Sequence, residues 1–388
     1  MLLGSDVLFD RDLIRGRTIG IVCNPASVNS RWEHVTTRAE RGGVRLGAIF
    51  GPQHGVRSDA QENMIETPHA FDARRRVPVY SLYSDTREPT AAMLAGLDAL
   101  VIDLQDVGTR IYTYIYTMAN CLRAAGRAGL PVIICDRPNP IDGITVEGPM
   151  LERGFESFVG QFPIPMRHGL TMGELADLFN TAFGLGAKIE VVAMPRWSRR
   201  SYADEAGAPW VMPSPNLPTL ESAIVYPGTV LLEGTNISEG RGTTRPFELV
   251  GAPWADADAI ARDLNGRGLP GVHFRPAWFE PVAHKHARTT CGGCQIHVTD
   301  RATFRPVEAG VAVIDAFRRA GPTAFAWREP PYEYEHALPP IDILYGSSRL
   351  RTALDAGASP GDVTREWPDA LQPFLALRDP YLRYRDRP

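Results

Sequence analysis

Asp103, Gln105, Asp106 and Arg110 place two carboxylates, an amide and a guanidinium close behind an apolar run at residues 99–104. Gln53 and His54 follow a second apolar run, and Asp136, Arg137 and Asn139 follow a third. Carboxylates grouped in this way suit cleavage of a glycosidic bond. That reaction needs an acid to protonate the leaving oxygen and a carboxylate to attack or to activate water. Asp103, Asp106, Asp136, Glu147, Glu233 and Glu239 are the candidates. Arg137, His54 and His168 would tune carboxylate pKa values or bind an acidic substrate. An arginine can grip a carboxylate through two parallel hydrogen bonds. The plain structural alternative has Asp106 capping a helix and Arg110 pairing with a nearby acid. Four polar residues together behind a buried strand favour function.

The elements that must position these residues alternate. Apolar runs at 17–23, 44–50, 77–83, 99–104, 131–135 and 189–192 read as strands. Segments 32–41, 90–97, 111–128 and 171–183 read as helices, the last opened by a Thr171/Glu174 capping box. This order predicts an α/β fold: a Rossmann-like, doubly wound parallel sheet in residues 1–245, followed by a smaller α+β domain in 246–388. Ligands bind such sheets outside the carboxyl ends of the strands. His54, Asp103, Gln105, Arg110, Arg137 and Asn139 are therefore expected around one cleft. Residues 231–248 are dense in Gly, Thr, Glu and Arg and read as a binding loop. There is no G-x-G-x-x-G after the first strand, no phosphate-binding G-x-x-x-x-G-K-[ST] and no G-x-S-x-G elbow. Dinucleotide, nucleoside triphosphate and ordinary serine-hydrolase chemistry are not expected, and no cofactor is.

Composition narrows the class. The 388 residues are 44% hydrophobic and 22% charged, as in a globular protein with a large core. A net charge of −4 without a basic block implies no nucleic-acid partner. No apolar run is long enough for a membrane span. No basic-then-apolar segment opens the chain, so no signal peptide is expected and a cytoplasmic location is. Five thinly spread cysteines fit a reducing compartment. His284, His286, Cys291, Cys294 and His297 form the one metal-like grouping, with C-x-x-C spacing and the two histidines expected on one strand face. A second spaced pair is missing. We read two small buried cysteines around a Gly-Gly turn, with no metal; a zinc hydrolase is the weakest of the readings.

The runs GPQHGVRSDAQ, VPVYSLY, DLQDVGTRIYTYIYT, DRPNPIDGITVEGPML, SFVGQFPIPMRHGLTMGEL, MPSPNLPT and EGTNISEGRGTTRPFE resemble the NamZ family over nearly the whole chain. That family, formerly a domain of unknown function, is described as exo-acting β-N-acetylmuramidases. The resemblance implies a Rossmann-like catalytic domain, a smaller C-terminal domain and a cleft between them. It also implies an amino-sugar or muropeptide substrate, from whose non-reducing end N-acetylmuramic acid is released. Glu147 matches the family's Val-Glu-Gly run and is the expected acid, with Asp103 and Asp106 as the other catalytic carboxylates. Gln53, His54, Arg57, Gln105, Arg110, Tyr112, Asp136, Arg137, Asn139, His168, Glu239 and Arg241 are expected to bind substrate. One departure stands out: the family pattern Pro-Glu-His-Gly reads Pro52-Gln53-His54-Gly55 here. A glutamine is neither acid nor base, so Asp59 or Glu62 would have to substitute, or the chain would be a silent amino-sugar-binding protein on the same scaffold.

Overall fold

The computed structural model describes residues 1–11, 13–62 and 64–385. Its main sheet contains β1 (Thr18–Cys23), β2 (Arg45–Gly51), β3 (Ala70–Asp72), β4 (Val77–Ser81), β5 (Ala99–Asp103), β6 (Val132–Cys135) and, after a small hairpin, β9 (Ile189–Val192). Their order is β3-β4-β2-β1-β5-β6-β9. All neighbouring pairs are parallel except β3 with β4. The parallel strands thus run outward in both directions from the β1–β5 pair, the doubly wound arrangement whose switch point lies there. The central strands are apolar because both faces are covered: every residue of β5 is buried. β3 is a short exposed edge strand that the apolar pattern does not reveal.

The helix Tyr114–Ala128 starts three residues later than the spacing of Ile111 and Ile115 suggests. The backbone before it is engaged elsewhere. Arg110 N–H donates to Met166 O at 2.8 Å, and Thr109 bridges Arg167. Both contacts dock this segment on the hairpin of β7 (Glu147–Met150) and β8 (Pro165–Arg167). The helix Met172–Ala182 carries the expected reciprocal Thr171/Glu174 cap.

From the helix Leu220–Thr229 onward the chain builds a second unit. Its sheet is antiparallel, β10 (Leu249–Ala252), β12 (Cys291–Val298) and β11 (Val272–Phe279), with helices Ala257–Gly266 and Pro306–Ala320. Gly292 and Gly293 lie inside β12 rather than in a turn, a correction to the expectation above. A Cβ at Gly293 would overlap the Val250 backbone, and one at Gly292 the Ala255 carbonyl. His284 and His286 are not on a strand either. They stand in the β11–β12 connection with φ of 66° and 56°, so no shared strand face exists. Among the described residues no cluster of three or more His, Cys, Asp or Glu could hold a metal ion, and no helix is long and apolar enough to cross a membrane.

One core runs through both units, from Val22, Ile102 and Leu122 to Val307, Phe317 and Leu354. The helices Leu220–Thr229 and Pro306–Ala320 meet backbone to backbone at Gly228 and Gly310, where any Cβ would enter the opposite helix. Gly228→Ala is accordingly expected to lower stability by about 1–3 kcal/mol, the usual range for overpacking. A thermal midpoint equal to wild type would show that the two helices can separate freely.

Candidate active site

A cleft is lined from both units. Its inner chamber takes Gln53 and His54 from the loop after β2 and Tyr112 to Tyr114 from the start of the long helix. The second unit adds Tyr226, Glu233, Arg241, Tyr332 and Glu333. Glu233 and Arg241 also line a wider outer chamber, with Glu62, Glu239, Lys285 and Arg328. The site therefore lies at the carboxyl end of the sheet, but not directly over the switch point. The loop around Pro213 covers that position: its carbonyl accepts from Asn24 Nδ2 at 2.8 Å and from Tyr114 Oη at 2.7 Å.

The carboxylate that dominates the inner chamber is Glu333. It sits in a two-residue turn closed by reciprocal 2.9 Å hydrogen bonds between Tyr332 and Glu335. Both turn residues are left-handed, Glu333 at φ 45° and Tyr334 at φ 70°. Such turns favour Asn and Gly. A non-glycine residue held there costs on the order of 1–3 kcal/mol, a strain that collects at functional sites. Gln53 Nε2 donates to Glu333 Oε1 at 3.2 Å and Tyr83 Oη donates to Oε2 at 3.0 Å. Thr113 Oγ1 donates to Gln53 Oε1 at 2.7 Å, which fixes the amide so that its N–H faces the carboxyl. Burial first, and the Glu233 charge second, push the Glu333 pKa up to about 7 against the hydrogen bonds from Tyr83 and Gln53. Arg87 stands between the Tyr83 and Tyr334 rings, 4.4 and 4.6 Å from their centroids, and pins the turn to the first unit.

Glu233 and Glu239, two further carboxylates of the cleft, are charge-paired. Arg241 donates to Glu233 Oε1 at 2.7 Å and lies 3.4 Å from Glu239 Oε1. Tyr332 Oη donates to Glu233 Oε2 at 2.7 Å. Lys285 Nζ meets Glu239 Oε2 at 2.8 Å. Burial works against ionising Glu239, but Lys285 and Arg241 outweigh it and hold the carboxyl below its ordinary value. His54 Nδ1 bonds the Ala60 carbonyl at 2.7 Å, and burial lowers its pKa to about 4, so the ring is neutral near pH 7.

Of the residues expected from sequence, Gln53, His54, Tyr112, Glu239 and Arg241 come together in the cleft. Nine others form a buried polar framework beneath it. Arg137 pairs with Asp103 at 2.5 Å across the ends of β5 and β6. Asp106 accepts from Gly108 N–H and lies 3.2 Å from His168 Nε2. Arg110 is wholly buried and donates to the carbonyls of Pro149, Ile164, Leu344 and Tyr345. Asp136 accepts from Thr171, Gly173 and Tyr384. Gln105 and Asn139 donate to the carbonyls of Pro138 and Leu170. Glu147 is a helix cap: its Oε1 accepts from the N–H groups of Val307 and Glu308 at 2.9 and 3.0 Å. Neither Glu147 nor any other of these nine lines the cleft. Arg57 and Asp59 are exposed outside it, whereas Glu62 stands in the outer chamber. Sequence reading passed over Glu333, Tyr332, Lys285 and Arg328. They lie in loops of the second unit, where no apolar run marks a strand end.

Fold and site define a doubly wound α/β protein with an appended α+β unit and an acid-lined cleft between them. The N-terminal domain description of the exo-β-N-acetylmuramidase NamZ matches residues 19–221, and the C-terminal one matches residues 224–384. The chain belongs to the NamZ family. It is 45% identical over 372 residues to the peptidoglycan β-N-acetylmuramidase NamZ of Bacillus subtilis strain 168, covering 96% of this chain and 88% of that one. It also resembles two crystal structures of DUF1343 family proteins from Bacteroides fragilis NCTC 9343. One superposes with a TM-score of 0.89 at 32% identity, over 99% of both chains. The other gives 0.77 at 25% identity, over 100% of this chain and 99% of that one.

The placement of Glu147 has a measurable consequence. Burial raises its pKa from 4.5 to about 7, against the helix N–H groups and nearby arginines. A carboxyl that binds its proton more tightly when folded supports the fold fully below about pH 4.5 and loses that support as pH rises through about 7. Glu147→Gln keeps an oxygen for both N–H groups and has no proton to lose. The variant is expected to retain turnover and to lose roughly 2–3 kcal/mol less stability than wild type between pH 4.5 and 8. Denaturant titrations at the two pH values, beside an activity assay, check both halves.

Proposed function

We propose that this chain is an exo-acting β-N-acetylmuramidase that releases N-acetylmuramic acid from the non-reducing end of peptidoglycan fragments. The observation that carries the reading is Glu333: a buried carboxyl with its pKa near 7, on a strained turn, facing a chamber that also contains a charge-paired carboxylate. A general acid works best when its pKa lies near the working pH. Glu333 protonates the glycosidic oxygen as the bond to the anomeric carbon breaks. Gln53 and Tyr83 hold the carboxyl in place, so Gln53 serves by orienting the acid rather than by being one. Glu233, held by Arg241 and Tyr332, supplies negative charge beside the oxocarbenium-like centre. His54, Tyr112, Glu239 and Arg241 shape the walls around the sugar.

With a chromogenic N-acetylmuramide, Glu333→Gln is expected to lower kcat by about 10²–10⁴-fold, the usual worth of general acid help. Wild-type kcat/KM should decline above about pH 7 as Glu333 loses its proton. Full turnover by the variant would remove Glu333 from the mechanism. Wild type that binds the sugar without cleaving it would instead make the chain an amino-sugar-binding protein.

A further inference from the structure

Most of the basic side chains of the cleft are already engaged, and their bonding separates them. His54, Arg241, His284, Lys285, His286 and Arg328 are the basic residues that line the two chambers. Arg241 is taken up by Glu233 and Glu239. Lys285 spends its three protons on the carbonyls of Leu232 and Ile237, at 2.7 and 2.9 Å, and on Glu239. His54 and His286 are bonded to the carbonyls of Ala60 and Asn236. Burial holds the His284 pKa below its ordinary value, which leaves the ring uncharged near neutrality. Arg328 is different. Among the described residues its guanidinium has no carboxylate within ion-pair distance and no hydrogen-bond acceptor, and it lies over the Tyr332 ring at 5.4 Å from the centroid. The backbone beneath it is fixed: Arg328 N–H donates to Gly234 O at 2.9 Å, and Trp327 bridges Thr235.

A guanidinium stacked on an aromatic face keeps its edge donors open, and that edge matches a carboxylate in a two-pronged bond. Tyr332 links Arg328 to the assigned charge-stabilising group. Its ring face supports Arg328, while its hydroxyl holds Glu233 at 2.7 Å, so the open cation and that carboxylate flank one side chain of the cleft wall. In a pyranose the 3-oxygen is carried two ring carbons from the anomeric carbon. N-acetylmuramic acid carries a lactyl carboxylate on that oxygen, and N-acetylglucosamine carries none. We infer that Arg328 binds the lactyl carboxylate and is the residue that selects the acidic sugar. The inference rests on the muramidase reading above and adds the source of its selectivity.

The test compares a peptide-free chromogenic N-acetylmuramide with its lactyl methyl ester, in wild type, Arg328→Ala and Arg328→Lys. Using a peptide-free substrate leaves the lactyl group as the only carboxylate. A charge-assisted pair of this kind corresponds to roughly 10- to 100-fold in binding. Esterification should lower wild-type kcat/KM by about that factor. Arg328→Ala should lower kcat/KM for the acid by the same factor and leave the ester where it was, so that its acid-to-ester ratio falls toward one. Arg328→Lys, which keeps the charge without the fork, should fall between. A substitution that merely loosened the loop would reduce both substrates together. Equal acid-to-ester ratios in wild type and Arg328→Ala overturn the assignment while leaving the muramidase reading intact. Wild type that neither cleaves the muramide nor binds N-acetylmuramic acid by calorimetry overturns that reading and the assignment with it.

Discussion

The cleft depends on one meeting across the two units, in which Glu333 accepts hydrogen bonds from Gln53 and Tyr83. A carboxyl taken out of water is costly to ionise, and neither donor is a cation. The group therefore holds its proton far above the range of a solvated glutamate. The turn that carries it is strained, and its geometry survives because surrounding contacts over-determine it. Tyr334 packs edge-on against Tyr83 and Phe158, and Arg87 fills the space between the rings. The same contacts that close the domain junction thus keep this carboxyl out of water.

Charge pairing sets Glu233 and Glu239 apart from Glu333. Arg241 reaches both Glu233 and Glu239, and Lys285 completes the second of these. Tyr332 joins the two systems, since it bonds Glu233 and precedes Glu333 in the chain. Glu333 thus lies beside a carboxylate that an arginine and a tyrosine hold, while it touches no cation itself.

The buried polar residues behind the strand ends meet a different requirement. Long loops cover the carboxyl edge of the sheet, and their backbone groups need partners once water is excluded. Arg110 satisfies four carbonyls, two from the first unit and two from the segment near residue 345. Asp136 gathers a helix start and the C-terminal Tyr384. Asp103 and Arg137 neutralise each other. These residues resemble a site in sequence because a ligand and a folded loop ask for the same things: donors, acceptors and charge at the end of an apolar strand.

Much of the fold was legible in the sequence. The strands of the parallel sheet are buried on both faces, so their apolar runs mark them, and β9 at residues 189–192 falls where the pattern puts it. The capping box at Thr171 was legible because it is a purely local bond. Part of the cleft lining was legible too: Gln53 and His54 follow a strand, and Glu239 and Arg241 stand in a loop rich in charge and glycine. Glu333 and Arg328 carry no such mark. They sit in a proline-rich loop some 280 residues from Gln53, the sequence separation of the hydrogen bond they help to frame. The position of Glu147 outside the cleft lining was not legible for the complementary reason, since its partners at Val307 and Glu308 lie 160 and 161 residues away in sequence. Local periodicity determines which segments become strands and helices, because burial repeats every second or every third to fourth residue. Which carboxylate ends up buried without a cation, and which arginine ends up without a carboxylate, is decided only when the two units close on each other.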